Sequence, residues 1–521
     1  MAHQETLFPS PPACSPPSLT LHATGQELTI GIEDIMRIVV PCLPAPFFPA
    51  AGASRPSPSA RVGGDGEDRI SRLPGKVLSE ILSRLPAKDA ARTVVLSRRW
   101  RRVWASTPLV LDDSDLLVLP RRGRSDYLPV DWCSVTDAVS RAIGSHRGPI
   151  RRVRLTCCVM WLVQRLGMLD YWLRRFADGG AEDLVLFNRP QPKGLYLPAD
   201  VLRIASLRTL YLGFWTFPDI AGLPRGPAVF PHLREIGLFC VLISTGELEH
   251  LLACSPVLEK LAIVACFYFS HHIRIGSRSL QCLVFWKSLT YELAVVVAPH
   301  LQRLILLQDY PNLSNPSLRR TRVKIGYTPG LSVLGYLEPG MHQLEIGGVS
   351  IESGTKIVPS TMVPSVKILA LRVQFGIRKD AKMIPAFLRC FPNVETLHVL
   401  SLEADEPTGK LNLKFWQEVG SVDCLETHIT KVVFDKFRGE RCELAFLKFI
   451  LERAQSLLKL VVVLANGDQA SVDEMLTKLK PLTTAKRASE CPTLLAVARD
   501  GDSPWCFQRA SDLSVSDPFD W

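Results

Sequence analysis

The 521-residue sequence predicts an α/β protein. It reads as a small bundle of three helices followed by a curved solenoid with a parallel sheet along its concave side. Three observations carry this expectation. An apolar stripe at helical spacing begins near residue 75 and stops at a proline. A template, apolar-x-x-apolar-x-apolar, then returns twelve times from residue 150 onward. The chain is too long for one ordinary core, and at 47% hydrophobic and 21% charged residues it has the composition of a folded protein.

The first 67 residues are rich in Pro, Ser, Ala and Gly and read as a disordered leader. Within them "IMRIVVPCLPAPFFPA" (35–50) is apolar, but its four prolines forbid a helix of that length. No basic stretch precedes an apolar core at the start, so no secretory signal is expected. No run of uncharged apolar residues is long enough to cross a bilayer. The 14 cysteines include no CxxC pair, and Cys157 with Cys158 lacks a partner pair at zinc spacing. Buried thiols in a reducing compartment account for them, which places the protein inside the cell, in the nucleus, the cytoplasm or both. The net charge of +10 permits acidic partners, but it is dispersed and reads as solubilising charge.

Ordered patterning begins at Asp68. Pro74 suits a first helical turn, where a missing N–H costs nothing. Val77, Leu78, Ile81, Leu82 and Leu85 follow at spacings of one, three and four, and Pro86 ends the run. Asp89 opens a second helix through Ala90, Ala91, Val94 and Val95. Trp100, Val103 and Trp104 mark a third, with Arg98, Arg99, Arg101 and Arg102 on its other positions. Fewer than 50 residues bury little core alone, so such a unit gains stability by docking. Pattern alone leaves open whether the stripe is interior or interface.

The stretch "RISRLPGKVLSEILSRLPAKDAARTVVLSRRWRRVWAS" resembles the F-box, over about 68–112. That resemblance implies docking on a Skp-type adaptor and, through it, a cullin-RING ubiquitin ligase. It assigns the docking face to Leu73, Pro74, Leu78, Ile81, Leu82, Leu85, Pro86, Leu96 and Trp100. Residues 113–149 carry charges, Pro and Gly and read as a junction. A fragment of residues 66–115 is then expected to bind adaptor alone, and one from about 130 to 521 to fold as a soluble solenoid that still recognises the target.

The template reads "IRRVRL" at 150, "AEDLVL" at 181, "LRTLYL" at 207, "LREIGL" at 233, "LEKLAI" at 258, "LQCLVF" at 280 and "LQRLIL" at 301. It continues with "MHQLEI" at 341, "VKILAL" at 366, "VETLHV" at 394, "ITKVVF" at 429 and "LLKLVV" at 457. The steps bracket the period of leucine-rich repeats, assigned here to 150–422. The alternating end of each copy is a short strand with one face buried. Helical pieces such as "TGELEHLLACSP" lie between, and stacked neighbours make the core continuous. The rhythm falters over 309–340, where one or two irregular repeats and a bend or exposed loop are expected.

"VDCLETHITKVVFDKFRGERCELAFLKFILERAQSLLKLVVV" resembles the FBD region that follows such repeats in plant F-box proteins. It is assigned to 423–500 and expected to cap the solenoid. The tail, 501–521, with "ASDLSVSDPFDW", resembles the ending of that family in grasses.

Catalytic motifs are missing: no G-x-S-x-G, Walker loop, H-E-x-x-H or G-x-G-x-x-G occurs. "TGKLNL" at 408 lacks the rest of a phosphate loop, and adjacent His271 and His272 suit no common metal geometry. No cofactor, metal or enzymatic activity is expected. The sequence reads as the substrate-recognition subunit of an SCF-type ubiquitin ligase, its repeats holding a target protein for ubiquitination. The alternatives are a scaffold that binds the adaptor without ubiquitin transfer and, less favoured, a nucleic-acid binder. No motif names the target, and a small molecule within the solenoid stays open.

Overall fold

The computed structural model describes residues 18–23, 26–47, 70, 72–117, 132–160, 166–188, 195–220, 226, 229–266, 272–308, 320–404, 414–465, 477–482, 487–489, 493–497 and 506–520. Fourteen strands form one parallel sheet, laid side by side in chain order from Leu109–Asp112 to Thr493–Val497. Eleven of the twelve template copies are strands of this sheet.

The physics of one repeat is local. Leu184 and Leu186 of Asp183–Phe187 point into the convex-side core, where Trp172, Leu173 and Phe176 of helix Leu166–Gly179 are buried with them. Helix Thr245–Ala253 starts with a capping box: Ser244 Oγ accepts from Glu247 N at 3.2 Å, and Ser244 N donates to Glu247 Oε2 at 2.7 Å. Four successive strands end on a left-handed non-glycine residue: Phe214, Cys240, Ala265 and Lys287, with φ from 47 to 60°. Each turns its N–H toward the next repeat. The acceptors are the carbonyls of Phe239, Val264, Trp286 and Leu307, at 2.8–3.0 Å. That ladder offsets the steric cost of positive φ.

Several expectations are corrected. Helices back the sheet near both ends, but over 272–350 the convex layer is a second sheet. It contains His272–Gly276, Glu292–Val297, Thr321–Tyr327 and His342–Ile346 in parallel, with Val349–Ser350 antiparallel at one edge. "MHQLEI" therefore lies in this convex sheet. The faltering segment instead holds an unpredicted strand of the large sheet, Val333–Leu337. Residues 309–319, where a loop is expected, lie outside the described residues.

The leader is ordered in part. Residues 32–39 form a helix that stops before Pro41, and Ile35, Met36, Val39, Cys42 and Leu43 are buried against the concave face. The junction is packed onto the repeats at both ends. Leu109–Asp112 is the sheet's first strand, paired with Ile150–Leu155, and helix Trp132–Ser145 buries Val139 and Ile143 in the repeat core. Buried Asp113 accepts from Thr156 N at 3.0 Å and Cys157 N at 2.7 Å, and Arg154 pairs with Asp112 at 3.6 Å. A fragment beginning at 130 would lack that strand, which lies within the fragment 66–115. Residues 118–131 lie outside the described residues.

Candidate functional site

The helical module builds its own small interior. Helix Gly75–Ser83 follows Pro74, and Leu78 and Leu82 on it meet Ala90, Trp100 and Val103. Ser97 caps helix Arg98–Ser106, its hydroxyl accepting from Trp100 N at 3.3 Å, and so sets Trp100 into that interior. Arg99 donates to the Leu73 carbonyl, and Ser79 and Thr107 share a hydrogen bond of 2.9 Å.

This geometry divides the nine residues named from sequence. Leu78, Leu82 and Trp100 are buried inside the module and shape it from within. Leu73, Leu85 and Pro86 are half-buried at its margin, while Pro74, Ile81 and Leu96 face solvent. Exposed apolar side chains that the set omitted stand beside them. Val77 lies one helical turn from Ile81 on the same face, and Val95 is 85% exposed next to Leu96. Their signal was present in the stripe. A helix with apolar residues at 77, 78, 81 and 82 carries two adjacent faces, one for its core and one left over.

The second surface is the concave face of the repeat sheet. The strand register aligns Val185, Tyr211, Gly237, Ala262, Val284 and Ile305 in one row. A Cβ on Gly237 would lie 2.7 Å from the Tyr211 ring, so glycine leaves room for that ring to stack on Phe239 at 5.5 Å. Five-residue strands such as Lys260–Val264 are buried after their first position, which means both faces of the sheet are covered. The cover on this face comes from two segments distant in sequence, 32–47 and 506–520. Gln508 ties them by donating to the Pro41 and Leu43 carbonyls at 3.1 and 2.8 Å. The tail thus lies in the concavity, and the sheet's last strand, Thr493–Val497, precedes it.

Two carboxylates of this cover, Asp517 and Asp520, are paired with side chains of the sheet. Asp517 meets His398 Nε2 at 2.9 Å. Burial raises the Asp517 carboxyl, but the hydrogen bond and charge of His398 outweigh it, and the pKa ends below the usual range. Burial pushes the thiol of Cys282, beneath Ala510, up to about 12 despite nearby Arg303. Burial likewise lifts Cys266, Cys390 and Cys424 to about 12, so these thiols stay protonated and are poor nucleophiles. Among the described residues no group of three or more His, Cys, Asp or Glu could hold a metal ion. No helix among them is long and apolar enough to cross a membrane. His271 and "TGKLNL" lie outside the described residues.

Comparison with known proteins adds three segment matches. A family model described as "FBD-associated F-box protein At5g56370, LRR repeats" matches residues 169–399. The FBD model matches 417–462 and the F-box domain model 70–111. The F-box/LRR-repeat protein At3g58930 of Arabidopsis thaliana is 24% identical over 376 residues, 68% of this chain and 73% of that protein. The F-box/LRR-repeat protein At3g59200 of the same plant is 25% identical over 457 residues, 80% and 86% of the two chains. Its F-box/FBD/LRR-repeat protein At3g14710 is 23% identical over 422 residues, covering 75% and 87%.

Proposed function

The chain belongs to the plant proteins that join an F-box, leucine-rich repeats and an FBD segment, and from that premise we propose that it is the substrate-recognition subunit of an SCF-type ubiquitin ligase. Residues 68–112 dock a Skp-type adaptor, and the repeat region holds a target protein. The observation that carries the reading is the apolar surface left on a module whose interior is already filled. Val77, Ile81, Val95 and Leu96 are exposed while Leu78, Leu82 and Trp100 are buried beneath. The weld through Asp113 and the first strand then sets the adaptor and the repeats at one fixed spacing. Such a subunit contributes proximity, and the cullin-bound RING and the conjugating enzyme contribute the chemistry.

Adaptor capture by the purified full chain tests this. Val77→Asp with Ile81→Asp, or Leu96→Asp, is expected to weaken capture at least tenfold while leaving the fold intact. Leu78→Asp is expected to unfold the module instead. Capture that survives all exposed-face substitutions contradicts the docking face. A captured adaptor without ubiquitin transfer to any bound target, in a reconstituted reaction, favours the scaffold reading.

A further inference from the structure

The concave face already holds a peptide, residues 506–520 of the chain itself. They run across the strands. Phe507 at one end faces Phe239 and Trp286 at ring-centroid distances of 6.5 and 6.4 Å. Asp520 at the other meets Lys431 Nζ at 2.6 Å. Between them Arg303 donates to the Ala510 and Asp512 carbonyls at 3.2 and 2.8 Å, and to that of Val515. Phe519 is buried edge-on to Tyr336 at 4.9 Å, beside the His398 ring that pairs with Asp517.

The division of labour in these contacts is chemical. Arg303 grips main-chain carbonyls, which every peptide offers. Side-chain identity is read where His398 and Lys431 meet Asp517 and Asp520, and where Tyr336 walls Phe519. The segment has one five-residue helix, Phe507–Ser511, and its large side chains are spent on the sheet. Its conformation is held by the groove together with short-range bonds of its own, such as Ser514 N donating to Asp512 Oδ1 at 2.9 Å.

We infer that the concave face is a docking groove for an acidic peptide segment with an aromatic anchor, of pattern Asp-x-Phe-Asp, and that residues 506–520 occupy it in cis. This rests on reading the repeats as the target-binding part and names the chemistry of the target. A tethered occupant competes at an effective concentration of order mM, so a target must carry the same anchors and outbid the tether by tighter contacts.

A fluorescent peptide of residues 506–520, titrated against the full chain, tests the inference by anisotropy. Asp517→Asn, Phe519→Ala and Asp520→Asn together release the tail. That variant is expected to bind the peptide about 100-fold more tightly than the unaltered chain. Adding His398→Ala and Lys431→Ala is expected to abolish that binding, as is placing the three tail substitutions in the peptide. Should the triple variant not fold, Asp520→Asn alone, at a half-exposed carboxylate, is expected to give a smaller gain. Failure of the peptide to bind any folded variant overturns the inference, and so does equal binding to variant and unaltered chain. Adaptor capture measured on the same samples separates the two readings: capture retained without peptide binding overturns only this one.

Discussion

The two faces of the fourteen-stranded sheet are closed by different means. On the convex side strands are covered by elements a few residues away in sequence, as Leu184 and Leu186 are by helix Leu166–Gly179, while the last strand, Thr493–Val497, stays largely exposed. On the concave side strands near the middle are covered by residues 32–47 and 506–520, so that Arg303 reaches a partner 209 positions away at Asp512. A repeat makes its convex core with its neighbours alone. The concave core needs contacts that close very long loops, and these form late and open first.

The largest effect that sharpens this contrast is a cavity. Trp172→Ala, at a fully buried convex position, is expected to cost about 3–5 kcal/mol in chemical denaturation. Phe519→Ala empties an equally buried site on the other face. It is expected to release the tail to proteolysis while the main unfolding transition moves far less. Equal losses in the main transition would erase the distinction.

A second test uses pH. His342, between the two sheets, is fully buried, and burial together with the nearby Arg372 holds its pKa at about 3. Glu338 N donates to Nδ1 at 3.0 Å, so Nε2 carries the proton toward Gln308 Oε1 at 3.1 Å. The unfolded chain protonates this imidazole below about 6.5 and the folded chain does not. The contribution of His342 is therefore intact above pH 6.5 and lost as pH falls toward 3, by about 1.4 kcal/mol per unit. Asp113, Asp115 and Asp380, raised to about 6 with burial as the main cause, act in the opposite sense. The informative quantity is thus the difference between the unaltered chain and His342→Gln. It is expected to shrink with acid across that window, and a flat difference contradicts a neutral buried His342.

The smallest effect concerns the strand-end ladder. Lys287 holds φ near 47° while its N–H bonds the Leu307 carbonyl at 2.8 Å. Lys287→Gly keeps the bond and removes the steric cost, so it is expected to raise stability by about 0.5–1 kcal/mol in thermal melts. Destabilisation would show that the side chain matters more than the backbone.

The same contrast decides what was legible in the sequence. The template and its period are local, so the convex repeats could be counted from Leu and Ile alone. Alternation also marked the second sheet in "HIRIG" and "HQLEI", whose burial follows period two; the template match assigned "HQLEI" to the concave sheet instead. The concave cover has no periodic signal, because Phe507 and Phe519 contact strands hundreds of residues earlier. A clue lay in the template's x positions. Runs such as "DLVLF" and "RLILL" are apolar at successive residues, which a strand bare on one face does not need. For the helical module the stripe was legible and its division into inner and outer residues was not. Nothing in "KVLSEILS" says which of Val77 and Leu78 turns inward until Trp100 is placed against Leu78.

Hydrogen exchange on the full chain, with and without Asp517→Asn, Phe519→Ala and Asp520→Asn, tests directly that one sheet is closed by two independent means. In the unaltered chain the amides of Ala510, Asp512 and Val515, bonded to Cys506, Gln508 and Asp512, are expected to exchange slowly. In the variant they are expected to exchange at the rate of a free peptide, while helices Leu166–Gly179 and Arg441–Arg453 keep their protection. Rapid exchange of residues 506–520 in the unaltered chain, or loss of protection in the convex helices along with the tail, would contradict it.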